Sequence, residues 1–220
     1  MGYQRAGFDV TGIDHRPQPR YCGDRFLEGD AMAALRALLR GNTICGGLGL
    51  DDFAVIHASP PCQEFSSAGK AAKVLWGAEY PDFYAETRKY LIRTGKPWII
   101  ENVTAAPSQS GIVLCGSMFG LPIQRHRTFE SSHLLMLDRH CDHKPDAITV
   151  TGHSPQRWLG GARKPVAPEV YQAAMGIDWM LVRELVQAIP PDYTEYVGAQ
   201  VLDLIREPAG REAWLDSPKS

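Results

Sequence analysis

Residues 58–67 read ASPPCQEFSS and follow the apolar run FAVI at residues 53–56. Two consecutive prolines fix the backbone and withhold two N–H donors, so a strand that reaches them stops pairing and leaves its sheet in a set direction. The thiol of Cys62 is therefore expected at the carboxyl edge of that sheet. A lone cysteine is usually a small buried apolar side chain, but the flanking prolines indicate a thiol that is held in position.

Short apolar runs alternate with helical patterns on both sides of this stretch. The predicted strands are residues 8–14, 53–58 and 97–100, and the predicted helices are residues 31–39 after Asp30, 81–95 and 193–205. Strands separated by helices predict an α/β fold with a doubly wound, mostly parallel sheet whose ligands bind at the carboxyl ends of the strands. Those ends carry Asp14, Cys62 and Glu101.

Composition limits the function classes. The chain has 220 residues, of which 44% are hydrophobic and 22% charged, enough for one domain with a full core. No apolar segment approaches the roughly 20 residues that span a bilayer, and no signal-peptide order is present, so we expect a cytoplasmic protein without membrane contact. The five cysteines form no CxxC pair, which favours reduced thiols. A net charge of -2 means that any DNA binding must come from local patches.

The patterning divides the chain into three regions. Residues 1–130 are predicted to form a catalytic core, and residues 166–220 to return to it. Between them, residues 131–165 lose periodicity and are rich in Gly, Pro, His and Arg, which predicts a small loop-rich insertion. Its histidines and Cys141 match no standard zinc spacing, so the sequence predicts no metal site.

Four motifs, in order, resemble those of the DNA (cytosine-5) methyltransferases. PPCQ at residues 60–63 resembles the family's nucleophile motif, and ENV at 101–103 resembles its second catalytic motif. GLPIQRHR at 120–127 resembles the motif of a glutamine and paired arginines, with the glutamine one place later than usual. IPPDYT at 189–194 resembles a variant of the last motif, common in small phage and bacterial members. The resemblance implies a Rossmann-like methyltransferase fold.

The same resemblance implies a catalytic mechanism. Cys62 would add to carbon 6 of cytosine, which turns the ring into an enamine able to take a methyl group at carbon 5. Glu101, at ring nitrogen 3, and the guanidinium of Arg127, with Arg125 beside it, would stabilise the charge that develops. Glu101 would need a raised pKa in a dry pocket. The target cytosine would have to be flipped out of the duplex.

The methyl donor implied by the resemblance is S-adenosylmethionine. In the family an acid after a strand holds the ribose hydroxyls, and this carries over to Asp14; on pattern alone, a strand-end acid is a weak signal. The predicted cofactor contacts are Ile13, Asp14, Asp30, Ala31, Pro60, Tyr193 and Thr194.

Double-stranded DNA is the implied partner, and a cognate restriction enzyme is a further candidate. By analogy with the family, residues 131–165 are the target recognition segment, and their brevity suggests a short recognition sequence. A flexible surface insertion is the alternative. The predicted DNA contacts are Gln63, Ser66, Arg157, Arg163 and Lys164.

One departure from the family concerns the start of the chain. The family begins with a strand that ends in a Phe-x-Gly-x-Gly loop, whereas this chain begins inside the helix expected after that loop. The predicted sheet therefore lacks its first strand, which would leave two strand edges open. We expect weak cofactor binding and little or no activity from the 220-residue chain, and recovery with an N-terminal extension of about 15–20 residues.

Three other interpretations remain open. The chain could be a catalytically inactive relative that binds DNA. It could transfer a modified one-carbon group, or act on a free nucleotide. A thiol hydrolase using Cys62 with His57 or His126 is the least favoured, because no oxyanion motif accompanies the pair.

Overall fold

The computed structural model describes residues 1–150, 156–159, 162–165 and 167–206, with the backbone alone described for 156–159 and 162–165. The remainder of the predicted regions 131–165 and 166–220 lies outside the described residues. The strands are β1 Thr11–Asp14, β2 Arg25–Glu28, β3 Ile56–Ala58, β4 Trp98–Asn102, β5 Gly111–Leu114, β6 Arg127–Ser131, β7 Ile148–Thr149, β8 Gln156–Leu159 and β9 Ala162–Pro165. The α-helices are α1 Gly2–Arg5, α2 Ala31–Leu39, α3 Ser67–Trp76, α4 Phe83–Arg93, α5 Pro168–Met175, α6 Val182–Leu185 and α7 Pro191–Arg206.

These strands form three sheets. The central sheet has the order β3-β4-β6-β5, in which β3 and β4 are parallel and β6 runs antiparallel to both of its neighbours. A separate parallel pair, β1–β2, and an antiparallel sheet, β7-β8-β9, complete the set. The α/β class is therefore confirmed. The expectation of a mostly parallel sheet is wrong, because the central sheet combines one parallel pairing with two antiparallel pairings. In the described part of the chain, β1 and β3 do not pair, and the predicted missing strand stays a prediction.

Strand β4 is buried along its whole length and separates two apolar layers. Because successive side chains of a strand point to opposite faces, Ile99 packs in the core that includes Val197 and Val201 of α7, while Ile100 packs with Leu91 of α4. Helices thus cover both faces of the central sheet, as a buried strand of apolar residues requires.

The predicted helix starts agree with the structure where a capping residue marks them. Asp30 accepts hydrogen bonds from the backbone N–H groups of Met32 and Ala33 and so caps α2, as its position predicted. Asp82 caps α4 in the same way, so the helix begins at Phe83, two residues after the predicted start at Pro81. Helix α7 begins at Pro191, where a missing N–H costs nothing.

A tight turn and a helix start fix the backbone after Cys62. The Cys62 carbonyl accepts the N–H groups of Phe65 and Ser66 at 3.1 and 2.9 Å, and the Ser66 hydroxyl caps α3 by accepting the Gly69 N–H at 3.1 Å. Gly69 lies so close to the turn that a Cβ there would meet the Gln63 carbonyl oxygen at 1.7 Å. Only glycine at this position allows α3 to pack directly on the loop that carries the thiol.

The second half of the insertion differs from expectation. Residues 132–147 contain no helix or strand, as predicted, but β7, β8 and β9 follow them. Strands of two to four residues are too short to show an alternating pattern that sequence reading can detect. Across the described ranges, every helix is too short or too polar to cross a membrane.

Replacing Gly69 with alanine tests the packing of α3 on the Cys62 loop. Helix propensity alone predicts that Gly69→Ala stabilises the protein by about 1 kcal/mol. The backbone contact predicts the opposite, a loss of about 1–3 kcal/mol in the free energy of unfolding, because the loop must move. Urea unfolding measures the difference, with Lys70→Ala at the next, exposed position as the control, where we expect a change under about 0.5 kcal/mol. A stabilised Gly69→Ala protein would contradict the close approach.

Candidate active site

Two parallel strand ends bring Cys62 and Glu101 to one edge of the central sheet. Strand β3 ends at Ala58 and leads into the proline pair, while β4 beside it ends with Glu101 and Asn102. The Asn102 side-chain amide donates a hydrogen bond of 2.9 Å to the Pro60 carbonyl. That contact ties the end of β4 to the loop of Cys62, whose side chain is partly exposed.

Glu101 is a buried carboxyl group beside a guanidinium. The residue is 6% exposed, and its Oε1 lies 3.1 Å from Nε of Arg127. Burial raises the pKa of Glu101, and this outweighs the opposing effects of Arg127, a Ser59 hydrogen bond and the charge of Arg125. The raised pKa that the resemblance calls for is therefore present, and its main cause is loss of water around the carboxyl group.

Behind Glu101, Ser59 continues into a short polar chain. His57 Nε2 lies 2.9 Å from the Ser59 hydroxyl, and His57 Nδ1 lies 2.6 Å from the hydroxyl of Tyr3. Burial lowers the pKa of His57 to about 4, so the ring is neutral at pH 7. Tyr3 and Ser59 were not predicted as site residues; the only sequence signal was that His57 and Ser59 are two apart and share one face of an extended chain.

The hydrogen bonds of the two histidines bear on the hydrolase interpretation. Both ring nitrogens of His57 are engaged by Tyr3 and Ser59, and Nε2 of His126 faces the sulfur of Cys141. Among the described contacts neither ring touches Cys62, so neither is arranged as its base.

Arg125 is buried and holds three segments together. Its guanidinium donates to the carbonyls of Val150 and Val186 at 2.8 and 2.7 Å, and its own carbonyl accepts the hydroxyl of Tyr193 at 2.6 Å. Burial lowers the pKa of Arg125 to about 10, which leaves it charged at pH 7. Its Nε has no partner among the described atoms. In this arrangement Arg125 positions the start of β6, and its predicted catalytic role stays a prediction.

The predicted cofactor residues lie in three places. Ile13 and Asp14 end β1, where the Asp14 carboxylate accepts the Arg16 N–H at 2.8 Å and the Gln18 amide at 3.1 Å and remains 40% exposed. Asp30 and Ala31 begin α2, with one carboxylate oxygen of Asp30 used in the cap. Strand β1 belongs to the separate β1–β2 sheet, and the described side-chain hydrogen bonds of Asp14 stay within residues 14–18.

The remaining predicted cofactor residues lie nearer the central sheet. Pro60 is half-buried and supplies the carbonyl that binds Asn102. Tyr193 is fully buried in the core below Arg125, and the Thr194 hydroxyl donates to the Pro191 carbonyl in the first turn of α7. Both side chains therefore support α7 and β6 here, and their predicted cofactor contacts stay predictions.

The predicted DNA contacts lie on two parts of the chain. Gln63 is exposed beside the thiol, and Ser66 caps α3. In the antiparallel pair β8–β9, Arg157 is the register partner of Lys164, and Arg163 that of Trp158. The side chains of this pair lie outside the described part, so their DNA contacts stay predictions. Gln124, the displaced glutamine of the resemblance, donates its amide to the Lys144 carbonyl at 2.9 Å.

A second group of reactive side chains was missed by sequence reasoning. Cys115, His126, Cys141 and His143 converge so that one possible ligand atom from each lies within 4.8 Å of the others. The pair Cys141-x-His143 was visible in the sequence, but its partners are 15 to 28 residues away. Such long-range contacts leave no spacing signal of a standard kind.

No model of a known protein family matches the chain, and no curated protein matches it. The resemblance to DNA (cytosine-5) methyltransferases therefore stays a prediction from the sequence motifs.

Replacing Glu101 with glutamine tests the buried carboxyl group. Because the folded-state pKa lies above the ordinary value of 4.5, the stability that this group contributes is present below pH 4.5 and is lost as the pH rises through the folded-state pKa. Glu101→Gln does not titrate. We therefore expect its free energy of unfolding, relative to the wild type, to increase between pH 4 and pH 7, by about 1.4 kcal/mol for each unit of pKa shift.

Urea unfolding at a series of pH values measures this difference. Glu28→Gln, at the exposed end of β2, is the matched control for the loss of a carboxylate and should give a much flatter difference. If the Glu101→Gln difference instead falls with rising pH, attraction to Arg127 outweighs burial and the proposed protonation of Glu101 is wrong.

Proposed function

We propose that the protein is a DNA (cytosine-5) methyltransferase with a Rossmann-like core, which uses S-adenosylmethionine and acts on double-stranded DNA in the cytoplasm. The observation that carries this proposal is the position of Glu101. A buried carboxyl group with a raised pKa stands beside a guanidinium and next to the strand that leads into Pro60-Pro61-Cys62. That combination suits addition of a thiolate to a ring that must be protonated on nitrogen.

The proposed chemistry assigns Cys62 and Glu101 different atoms of the base. The thiolate of Cys62 forms a bond to carbon 6, and the electron pair displaced from the 5,6 double bond makes carbon 5 nucleophilic. A protonated Glu101 donates a hydrogen bond, or its proton, to ring nitrogen 3 as negative charge develops there. Transfer of the methyl group to carbon 5 would leave the donor sulfur as a neutral thioether. Water then takes the proton of carbon 5, ring nitrogen 3 returns its proton to Glu101, the bond between carbon 6 and sulfur breaks, and the thiolate is regenerated.

Arg127 supplies fixed positive charge to the same site. Its Nε lies 3.1 Å from Glu101, and its Nη1 donates to the His126 carbonyl at 2.7 Å, so the guanidinium is held before any substrate arrives. A preorganised charge stabilises the transition state without reorganisation at the moment of reaction. Arg125 contributes indirectly, because its bonds to two carbonyls hold the strand from which Arg127 projects.

Part of a cofactor site fits the residues that are present. The exposed face of the Asp14 carboxylate, at the carboxyl end of a strand, suits the hydroxyl groups of a ribose. Asp30 and Pro60 would complete the contacts predicted for S-adenosylmethionine. The cofactor supplies a methyl group bound to a positively charged sulfur, which makes the methyl carbon electrophilic.

Charge in the insertion supports contact with DNA. Arg157 and Lys164 are directly opposite each other in the ladder of β8 and β9. Cationic residue types of this kind are those that contact DNA phosphates in other proteins. A sheet that enters or lies along a groove is an established way of reading base edges. A cognate restriction enzyme remains a candidate partner.

Covalent trapping tests the proposed function directly. A duplex containing 5-fluorocytosine should form a stable adduct with the wild-type protein in the presence of S-adenosylmethionine, because fluorine cannot be eliminated from carbon 5. Cys62→Ser should form none while retaining DNA binding. Cys22→Ser, which removes another partly exposed free thiol, is the matched control and should be trapped like the wild type. Trapping needs a single turnover, so weak activity is sufficient.

Product analysis separates this function from the alternatives. Mass spectrometry of nucleosides from treated DNA should show 5-methylcytosine; a different added mass indicates another one-carbon group. Modification of free nucleotide in place of DNA would overturn the DNA substrate. DNA binding with no adduct and no product, both from the 220-residue chain and from the chain with the predicted upstream extension, would identify an inactive DNA-binding relative.

Substitution of the insertion arginines tests target recognition. If Arg157 or Arg163 contacts a base edge, its replacement by alanine should cost about 1–3 kcal/mol of binding at the preferred sequence and relax the preference there. A contact to phosphate should weaken binding to all sequences alike and reduce the salt dependence. Arg40→Ala, at the exposed end of α2, controls for loss of positive charge. Unchanged binding and preference in both insertion variants would remove residues 131–165 from target recognition.

A further inference from the structure

Four side chains capable of binding a metal converge at the base of the insertion. Cys115 follows β5, His126 immediately precedes β6, and Cys141 and His143 lie in the irregular segment 132–147. Their ligand atoms all lie within 4.8 Å of one another. Cys115 is fully buried, whereas Cys141 and His143 are exposed, so the cluster lies at the surface with one ligand rooted in the core.

Two distances in this cluster match those of ligands around one ion. The sulfur of Cys115 lies 3.5 Å from Nε2 of His143, and the sulfur of Cys141 lies 3.5 Å from Nε2 of His126. Zinc bonds of about 2.3 Å to sulfur and about 2.0–2.1 Å to nitrogen, at a tetrahedral angle, place the two atoms about 3.5 Å apart. The two imidazole rings stand edge to face, 83° apart with centroids 5.0 Å apart, so both point a nitrogen inward without stacking.

An outer layer of hydrogen bonds orients the buried thiol. The Ser117 hydroxyl donates to the sulfur of Cys115 at 3.4 Å, and the backbone N–H of Asp142 donates to the Ser117 oxygen at 3.2 Å. The Ser117 hydroxyl thereby fixes the direction of the Cys115 side chain. Supporting bonds of this kind are characteristic of metal sites, where they fix the ligands before the ion binds.

The segment that carries Cys141 and His143 forms no helix or strand between residues 132 and 147. Its first part is held by the buried side chain of Leu135 and by hydrogen bonds of Met136 and Asp138 to α7, whereas Cys141 and His143 are exposed. A loop of this length without secondary structure is uncommon in a packed domain unless it has a function. A metal ion that joins Cys141 and His143 to Cys115 and His126 would fix the part of the segment that lies beyond its contacts with α7.

We propose that Cys115, His126, Cys141 and His143 bind one zinc ion in tetrahedral geometry as a structural site. Two thiolates with two imidazoles select zinc over the harder cations, which prefer oxygen. Four protein ligands leave no open position for a substrate or an activated water, so the ion holds structure and does no chemistry. Its role is to fix the insertion onto the start of β6, where His126 stands between Arg125 and Arg127.

Metal content tests this proposal without DNA or cofactor, so its outcome is independent of the proposed methyl transfer. The full chain, purified in the presence of zinc, should show one zinc ion per chain by native mass spectrometry and elemental analysis. Cys141→Ser and His143→Ala should each lose the ion; both positions are exposed, so the core is not disturbed. Cys22→Ser is the matched control and should retain it. Ser117→Ala should lower zinc affinity by roughly 10- to 100-fold and leave the stoichiometry at one.

Two further measurements identify the ligands. Cobalt(II) added to the zinc-free chain should give the intense visible bands of tetrahedral coordination with a thiolate charge-transfer band, and Cys141→Ser should reduce the latter. Zinc should protect the exposed Cys141 from alkylation and leave the reactivity of Cys22 and Cys45 unchanged. A full set of free thiols with no zinc bound, zinc retained by the double variant Cys141→Ser/His143→Ala, or a Cys115–Cys141 disulfide in place of the ion would each overturn the proposal.

Discussion

Strand β4 runs through the middle of the central sheet with no exposed residue, and its last two residues are Glu101 and Asn102. Its parallel pairing with β3 places the Cys62 loop beside that end, and its antiparallel pairing with β6 places Arg127 one residue beyond the partner of Asn102. The apolar layers that bury Ile99 and Ile100 also remove water from around Glu101. The same packing that stabilises the sheet therefore raises the pKa of Glu101, and the guanidinium of Arg127 reduces the size of that rise.

Features of this arrangement that are caused by neighbouring residues can be predicted from the sequence, whereas features caused by distant residues cannot. The Asp30 cap and the exit of β3 at two prolines follow from one or two neighbouring residues, and the sequence predicts both. The position of Cys62 and Glu101 at one edge of the central sheet follows from the parallel pairing of β3 and β4. The insertion of β6 between β4 and β5 cannot be derived in this way, because pairing order is set by tertiary packing of short strands. The bond between Tyr3 and His57 joins residues 54 positions apart and has no local signal.

The proposed chemistry and the proposed recognition of DNA share one mechanical support. Arg125 is bonded to the Val150 carbonyl at the end of β7, and its neighbour His126 faces Cys141. The middle of the segment between β6 and β7, at Cys141, and the residue after β7, Val150, are thus both in contact with the two residues that precede Arg127. A displacement of the insertion on binding a partner would be transmitted to Arg127 through rigid contacts. Packed networks of this type couple sites when they have two discrete arrangements.

Because the β1–β2 pair is separate from the central sheet, we expect it to unfold locally before the buried strand β4 does. A two-stranded sheet is marginally stable by itself, and this one is attached to the rest through contacts such as the Arg20–Glu184 ion pair at 2.7 Å and the Gln4–Asp24 hydrogen bond at 3.2 Å. Its amide protons should exchange through local opening, at a lower free energy than those of the buried β4. A ligand held by Asp14 would bind only the docked form, so part of its binding free energy would be used to order the sheet. The affinity of that ligand is then governed by the fraction of molecules in which β1–β2 is docked, as well as by the contacts that Asp14 makes.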